Sequence, residues 1–203
     1  MSYPKLPAAK LPANVRRAAT VDAVIALAAI TNPADITTGQ IAAHMGVTQG
    51  ALFRHFADKQ AVWVAVMDWT ADTLLARIDA ATGATPIDRL RAIFAAHISF
   101  VIEHVGIPRI LFCELQRDRG APGKVRVQAL MHAYRVRVLT LLDEAKVLGH
   151  IKPQTDSAAA AAMFLGLVQG LVMQAMAADN FSAMRATSSA LFDLYLMGLG
   201  VDT

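Results

Sequence analysis

Apolar residues recur at helical spacing along most of the chain, and capping residues divide this pattern into separate helices. Between residues 13 and 30 the apolar stripe includes Val21, Val24 and Ala28, and Asn32-Pro33 ends that helix. The same pattern predicts helices over 37–45, 48–56, 58–81, 86–103, 109–119, 124–148, 158–178 and 182–199. The hydrophobic share of 55%, with little Gly or Pro inside these segments, favours an all-α, densely packed protein.

Residues 37–59, TTGQIAAHMGVTQGALFRHFADK, hold the most specific local pattern. Thr37 and Gln40 have the spacing of a capping box that opens a short helix. Gly46 ends this helix, and Thr48 caps a second one that turns Leu52 inward. Two short helices joined by a glycine turn predict a helix-turn-helix, whose second helix can enter the major groove of DNA.

The pattern IT-T-x-x-IA-x-x-x-GV-T-x-G-x-L-F-x-HF-x-x-K resembles the DNA-binding motif of the TetR family of transcriptional regulators. The resemblance implies an N-terminal three-helix DNA-binding domain, followed by a larger helical domain for ligand binding and dimerisation. It also implies a homodimer that binds a pseudo-palindromic double-stranded DNA operator and is released by a small-molecule inducer. We expect a flexible arm over 1–12, the helix-turn-helix domain over 13–60 and the larger domain over 61–203.

The helix predicted over 58–81 leaves the small domain and enters the larger one. A tilt imposed at its far end would therefore move the recognition helix.

The recognition helix supplies most of the predicted DNA contacts. Gln49 can pair with N6 and N7 of adenine, and Gly50 lets the backbone approach DNA closely. The resembled family usually has Lys, Thr and Tyr where this chain has Gln49, Ala51 and Phe53, and Phe53 lacks the hydroxyl that bonds phosphate. For His55, a hydrogen bond within the protein is the alternative to a DNA contact. The full predicted set is Thr37, Thr38, Thr48, Gln49, Gly50, Phe53, Arg54, His55 and Lys59.

The charge distribution agrees with this interpretation. The net charge is +3, and residues 1–60 hold six basic and three acidic residues, so the remaining chain is neutral. A phosphate-facing module requires such an excess of positive charge.

The larger domain is expected to enclose an apolar pocket for an unidentified small molecule, as the resemblance implies. The candidate lining residues lie on predicted inward faces and are His97, Phe100, Phe112, Cys113, Gln116, His132, Met163, Gln169 and Met173. Core packing is the alternative role for each of them. No HxxxH or CxxC spacing supports a metal site, no cofactor is expected, and no catalytic motif is present, so we expect no enzyme activity.

Two segments also fit membrane or export roles. Residues 158–178 carry no charge and are long enough to cross a bilayer, but Gln169 and Gln174 interrupt them. Ala162, Gly166 and Gly170 form a row of small residues that suits close helix packing in a soluble dimer. Basic residues followed by an apolar run near the N-terminus are also typical of a secretory signal peptide, but Asp22 interrupts the apolar run.

A single cysteine, Cys113, indicates a reducing cytoplasm. The rival interpretations are a helical enzyme or ligand carrier with a structural N-terminal hairpin, and a membrane-tethered regulator.

Overall fold

A computed structural model describes residues 12–201, and all regular structure in this range is helical. The predicted all-α fold is confirmed. The helices are α1 (Ala13–Ile30), α2 (Thr38–His44), α3 (Gln49–Phe53), α4 (Lys59–Ala80), α5 (Pro86–Glu103), α6 (Gly106–Leu115), α7 (Pro122–Val147), α8 (Ser157–Ala177) and α9 (Met184–Leu199), with short 3₁₀ turns at Pro33–Asp35 and Phe181–Ala183. The predicted arm lies outside the described residues except for Pro12.

Side-chain caps begin several of these helices where the sequence places them. Thr85 and Asp88 form a reciprocal capping box at α5, with Pro86 in its first turn. The Asp156 carboxylate accepts hydrogen bonds from two backbone N–H groups at the start of α8. The carboxylate of Asp58 accepts from the backbone N–H of Ala61, 2.7 Å away, at the start of α4.

The predicted boundaries of α3, α6 and α9 were wrong. Helix α6 begins at Gly106 rather than residue 109, because Pro108 falls in the first turn, where its missing N–H leaves no hydrogen bond unmade. It ends at Leu115 instead of residue 119. Helix α3 ends at Phe53, and α9 begins at Met184 after a 3₁₀ turn that Asn180 caps.

The described chain separates into two compact units. The first contains the residues up to Thr70 together with Gly106–Val127, so α6 accompanies the helix-turn-helix. In this unit α1 and α6 pack closely, since a β-carbon at Gly106 would lie 2.1 Å from the carbonyl oxygen of Ile25. The predicted division at residue 60 stays a prediction.

The second unit contains Ala71–Val105 and the described residues from Gln128 onward. Its core is a cluster of buried aromatic rings from α5, α7, α8 and α9, in which neighbouring centroids lie 5.0 to 6.1 Å apart. The rings belong to Phe94, Tyr134, Phe164, Phe192 and Tyr195. Most of these pairs meet edge to face, an arrangement that adds to the stabilisation from burial.

Candidate nucleic-acid interface

Local hydrogen bonds build the helix-turn-helix as the sequence predicts. The Thr37 hydroxyl accepts from the backbone N–H of Gln40, and the Gln40 side chain accepts from the backbone N–H of Thr37, 2.7 Å away. Gly46 has φ of 68°, a left-handed conformation that favours glycine and ends α2. The Thr48 hydroxyl then accepts from the N–H of Ala51 at 3.2 Å and caps α3.

Helix α3 has one buried and one exposed face. Leu52 is buried together with Ile41 and Ala42 of α2, which fixes the angle between the two helices. On the opposite side, Thr48, Gln49, Gly50, Phe53 and Arg54 are exposed. The predicted DNA-contacting residues of α3 therefore share a free surface.

Gln49 on this surface contacts α2. Its Nε2 donates a hydrogen bond to the hydroxyl oxygen of Thr38, 2.6 Å away. Thr38 is the first residue of α2, and Gln49 is the first residue of α3. The contact links the beginnings of the two helices through side chains that the sequence assigned to DNA.

Gly50 and Phe53 lie on the exposed face of α3. A β-carbon added at Gly50 would meet no atom within 4 Å, so the packing of the chain itself does not require glycine there. The Phe53 ring is 42% exposed although it is fully apolar. Both observations agree with a surface that a second molecule covers.

Arg17 of α1, which the sequence did not indicate as a functional residue, contacts the two residues His55 and Phe56 that follow α3. Its guanidinium donates to the carbonyl oxygen of His55 at 2.9 Å and lies 4.6 Å from the centroid of the Phe56 ring. His55 lies 38 residues from Arg17 along the chain. Only the fold brings these groups together.

Lys59 is directed towards the protein in this structure. Its ammonium donates to the carbonyl oxygen of Ala34 at 3.4 Å and lies 5.7 Å from the centroid of the Trp63 ring. Lys59 also lines a small crevice of about 20 Å³ with Cys113, Glu114 and Arg117. That volume suits about one water molecule.

Glu114 is a buried carboxylate in the first unit that the sequence analysis did not identify. Burial raises its pKa, while the charges of Arg117 and Lys59 lower it in part. A β-carbon at Gly123 would lie 2.0 Å from its Oε2, so the carboxylate occupies the space beside the first turn of α7. A negative charge is favourable there because of the helix dipole.

The expectation that all the pocket candidates face inward was wrong. Phe100 is buried, and His97, Phe112 and Cys113 are half-buried, whereas the remaining candidates are exposed, namely Gln116, His132, Met163, Gln169 and Met173. Helix α8 is apolar on every side, so periodicity alone could not select the face around Phe164 and Val168 that packs inward. Phe112, Cys113 and Gln116 belong to the first unit, and the other candidates belong to the second.

His97 is the pocket candidate with a defined polar partner. Its Nδ1 lies 3.2 Å from the hydroxyl of Tyr134, and the two ring centroids are 5.2 Å apart. Burial lowers the pKa of His97 to about 4, so the imidazole is neutral at pH 7. Burial also raises the pKa of Tyr134, which keeps its hydroxyl protonated.

A crevice of about 150 Å³ opens on the second unit between α4, α5 and α7. Ile78, Ile93 and Leu141 form apolar walls. The charged lining residues are Asp79, Arg89, Arg137 and Glu144. Arg137 is held by Asp79 through two hydrogen bonds of 2.7 and 2.8 Å. The Nε of Arg89 is buried without a hydrogen-bond partner.

Helices α8 and α9 pack against each other and both expose apolar side chains. Met163 and Met173 of α8 are 49% and 53% exposed, and Leu194 and Met197 of α9 are 62% and 60% exposed. By length and composition α8 is also the one described single helix that could cross a bilayer, and 39% of its most apolar stretch is buried inside the chain. A core helix of a soluble protein meets the same criteria.

These features define a helix-turn-helix DNA-binding protein with a second, helical unit. Residues 21–66 match the family described as bacterial regulatory proteins, tetR family, and residues 86–191 match the tetracyclin repressor-like, C-terminal domain. The chain belongs to the TetR family of DNA-binding transcriptional regulators. Because this family is not enzymatic, the expectation that the chain is no enzyme is confirmed.

Relatives and solved structures agree with this assignment. The nucleoid occlusion factor SlmA of Idiomarina loihiensis is 27% identical over 166 residues, which cover 78% of this chain and 82% of that protein. The ketosteroid transcriptional regulator KstR2 of Mycobacterium tuberculosis superposes with a TM-score of 0.76 at 21% identity, over 91% of this chain and 94% of that chain. AibR, solved with isovaleryl coenzyme A and operator DNA, superposes with a TM-score of 0.66 at 22% identity. The superposition covers 78% of this chain and 86% of that chain.

Proposed function

We propose that this protein is a cytoplasmic, homodimeric repressor that a small-molecule inducer releases from a pseudo-palindromic operator. The free face of α3 carries this proposal. Its apolar side is fixed against α2, while Thr48, Gln49 and Arg54 are open to a partner. The capped start of α3 offers backbone N–H groups to phosphate, and its polar side chains have the chemistry to read base edges.

The exposed side chains of α8 and α9 support the homodimer. Four large apolar residues on two adjacent helices form a surface that a second copy could cover, and these residues are Met163, Met173, Leu194 and Met197. Gly166 and Gly170 have open space around their α-carbons, which permits close approach of another helix. Two copies would place two α3 helices on two half-sites of one operator.

The dimer can be tested with Leu194→Glu and Met173→Glu. Each substitution places a charge on the apolar surface, so we expect monomers in analytical ultracentrifugation and loss of binding to a two-half-site duplex. Gln128→Glu, at an exposed polar position of α7 and outside the α8 and α9 surface, is the control. A dimer that persists in both variants would contradict this surface.

An inducer is supported by the crevice on the second unit and by the relative AibR, whose structure holds isovaleryl coenzyme A. Asp79 and Glu144 also line the crevice, and Asp79 already binds Arg137, so its apolar walls and the unpartnered Nε of Arg89 suit an amphipathic molecule with a hydrogen-bond acceptor. The experiment begins with selection of the operator from random duplexes. The enriched duplex is then titrated with acyl-coenzyme A esters, and the matching free acids serve as controls.

Release of the operator by one of these compounds supports induction. Arg89→Gln and Ile93→Trp, which alter the crevice, should then weaken the response without changing affinity for DNA. Binding of the operator that no compound affects would argue against the acyl-coenzyme A class.

The 27% identity to SlmA favours a second function, nucleoid occlusion, in which binding sites would be spread over the chromosome. Mapping of bound sites in cells separates the two. A few promoter sites support the repressor, and many dispersed sites support nucleoid occlusion.

A further inference from the structure

The hydrogen bond between Gln49 and Thr38 joins the exposed first residue of α3 to the half-buried first residue of α2. Nε2 of Gln49 donates to Oγ1 of Thr38 at 2.6 Å, across eleven positions of the chain. The Thr38 hydroxyl is not the cap of α2, because Thr37 accepts the capping hydrogen bond from Gln40. The contact therefore has a role other than capping α2.

This bond changes what the Gln49 amide can offer to a base. A glutamine amide has two N–H donors and one carbonyl acceptor, and Thr38 takes one of the donors. One donor and one acceptor remain. Adenine presents N7 as an acceptor and N6–H as a donor in the major groove, which matches the remaining pair.

Guanine presents a different pattern in the groove, with acceptors at both N7 and O6. An unrestrained glutamine can donate both of its N–H groups to these two acceptors. Gln49 has already given one N–H to Thr38, so it would leave one guanine acceptor without a partner. A buried acceptor without a hydrogen bond reduces affinity.

We propose that Thr38 is a positioning residue that makes Gln49 select adenine over guanine in the operator. This inference rests on the proposed function, in which α3 reads base edges. The Thr38 oxygen accepts from Gln49, so its own O–H remains free to donate to a phosphate. Thr38 can thus position the protein on the DNA phosphate backbone and also orient the Gln49 amide that reads the base.

The experiment compares the wild-type protein with Thr38→Val, Thr38→Ala, Thr38→Ser and Gln49→Ala. Valine has the shape of threonine without the hydroxyl, and serine keeps the hydroxyl. Dissociation constants are measured at one salt concentration on the selected operator with A, G or 7-deaza-adenine at the base position where Gln49→Ala loses its preference. The substitution is made in both half-sites.

We expect the wild-type protein and Thr38→Ser to prefer A over G by about tenfold, the scale of one bidentate base contact. Both should lose affinity for 7-deaza-adenine, which lacks the N7 acceptor. In Thr38→Val the preference for A over G should fall below about threefold, mainly through tighter binding to G, because Gln49 recovers its second donor. Thr38→Ala should behave like Thr38→Val and covers the case in which valine disturbs the start of α2.

Two results would overturn the inference. One is an unchanged ratio of A to G affinity in Thr38→Val and Thr38→Ala. The other is an equal loss of affinity for both bases, which a purely structural or phosphate-binding Thr38 would give. Failure of the wild-type protein to prefer any duplex would instead overturn the proposed function together with this inference.

Discussion

The exposed face of α3 brings a glycine, an amide and an aromatic ring together within five residues. Gly50 has open space where a side chain would stand, Gln49 is tied to Thr38, and Phe53 exposes 42% of its surface. None of the three contributes to the buried seam between α2 and α3. Gly50 and Phe53 can therefore be altered with little effect on stability, which separates binding from folding, whereas Gln49 also links α3 to α2.

Gly50→Ala is expected to weaken DNA binding without destabilising the protein. The added methyl group meets no protein atom within 4 Å, and alanine favours a helix more than glycine does. On DNA the same methyl group would hold the α3 backbone away from the groove. We expect affinity for all duplexes to fall about tenfold, with an unchanged or slightly higher melting temperature.

Titration of the selected operator and thermal unfolding measure these two effects. Gly120→Ala is a matched control, because Gly120 is also surrounded by open space but lies outside the helix-turn-helix. Wild-type affinity in Gly50→Ala would show that the α3 backbone does not approach DNA closely.

Phe53→Tyr is expected to strengthen binding. The ring is partly exposed, so the new hydroxyl can reach solvent or a phosphate without entering the core. A neutral hydrogen bond to phosphate contributes about 1 kcal/mol, which is roughly fivefold in affinity. It should act equally on all sequences and leave the salt dependence unchanged, since no charge is added.

Fluorescence anisotropy over a series of salt concentrations checks this expectation. Phe53→Leu, which offers no hydroxyl, should not strengthen binding. A gain restricted to one operator sequence would indicate that residue 53 contacts a base instead.

At the scale of the elements, Gly106 fixes the distance between α1 and α6. A β-carbon there would lie 2.1 Å from the carbonyl oxygen of Ile25 and 3.1 Å from the amide nitrogen of Ala29, so the backbones of both helices would have to separate. We expect Gly106→Ala to destabilise the protein by about 2 kcal/mol or more, and to lower the melting temperature by at least about 4 °C.

Thermal unfolding of Gly106→Ala beside Gly39→Ala tests this contact. A β-carbon at Gly39 would meet only the Thr37 hydroxyl at 3.8 Å, an ordinary contact distance, so this control should retain its stability. Equal melting temperatures for the two variants would mean that α1 and α6 are not in close contact.

The helices and their caps could be predicted from the sequence because they depend on neighbouring residues. Thr37, Thr48, Thr85 and Asp156 all cap the helices that follow them. The contact of Arg17 with His55 could not be predicted, since it joins residues far apart in the chain. The inward face of α8 could not be predicted either, because a helix that is apolar on all sides shows no preferred face in its sequence.

At the scale of the whole molecule, the half-buried His97 ring beside Tyr134 makes stability depend on pH. Its pKa is about 4 in the folded protein and about 6.5 in the unfolded chain, so the unfolded chain binds more protons between these values. The stability contributed by neutral His97 is present above pH 6.5 and is lost as the pH falls towards 4. Between pH 7 and pH 5 the free energy of unfolding should fall by about 2 kcal/mol on account of this residue.

Urea unfolding at pH 7 and pH 5, performed at one protein concentration, measures this change in the free energy of unfolding. His97→Gln keeps a polar side chain but does not titrate, so the loss between pH 7 and pH 5 should be smaller by about 2 kcal/mol in this variant. The same loss in both proteins would assign the pH dependence to other groups.

The place of Glu114 beside Gly123 has a consequence for how the sequence can diverge. Any side chain at position 123 would occupy the volume that the Glu114 carboxylate fills. In homologues we therefore expect the two positions to change as a pair, with a shorter residue at 114 wherever 123 is no longer glycine. A protein in which only one of the two residues is replaced should be less stable. We therefore expect this pair of residues to change slowly during sequence divergence.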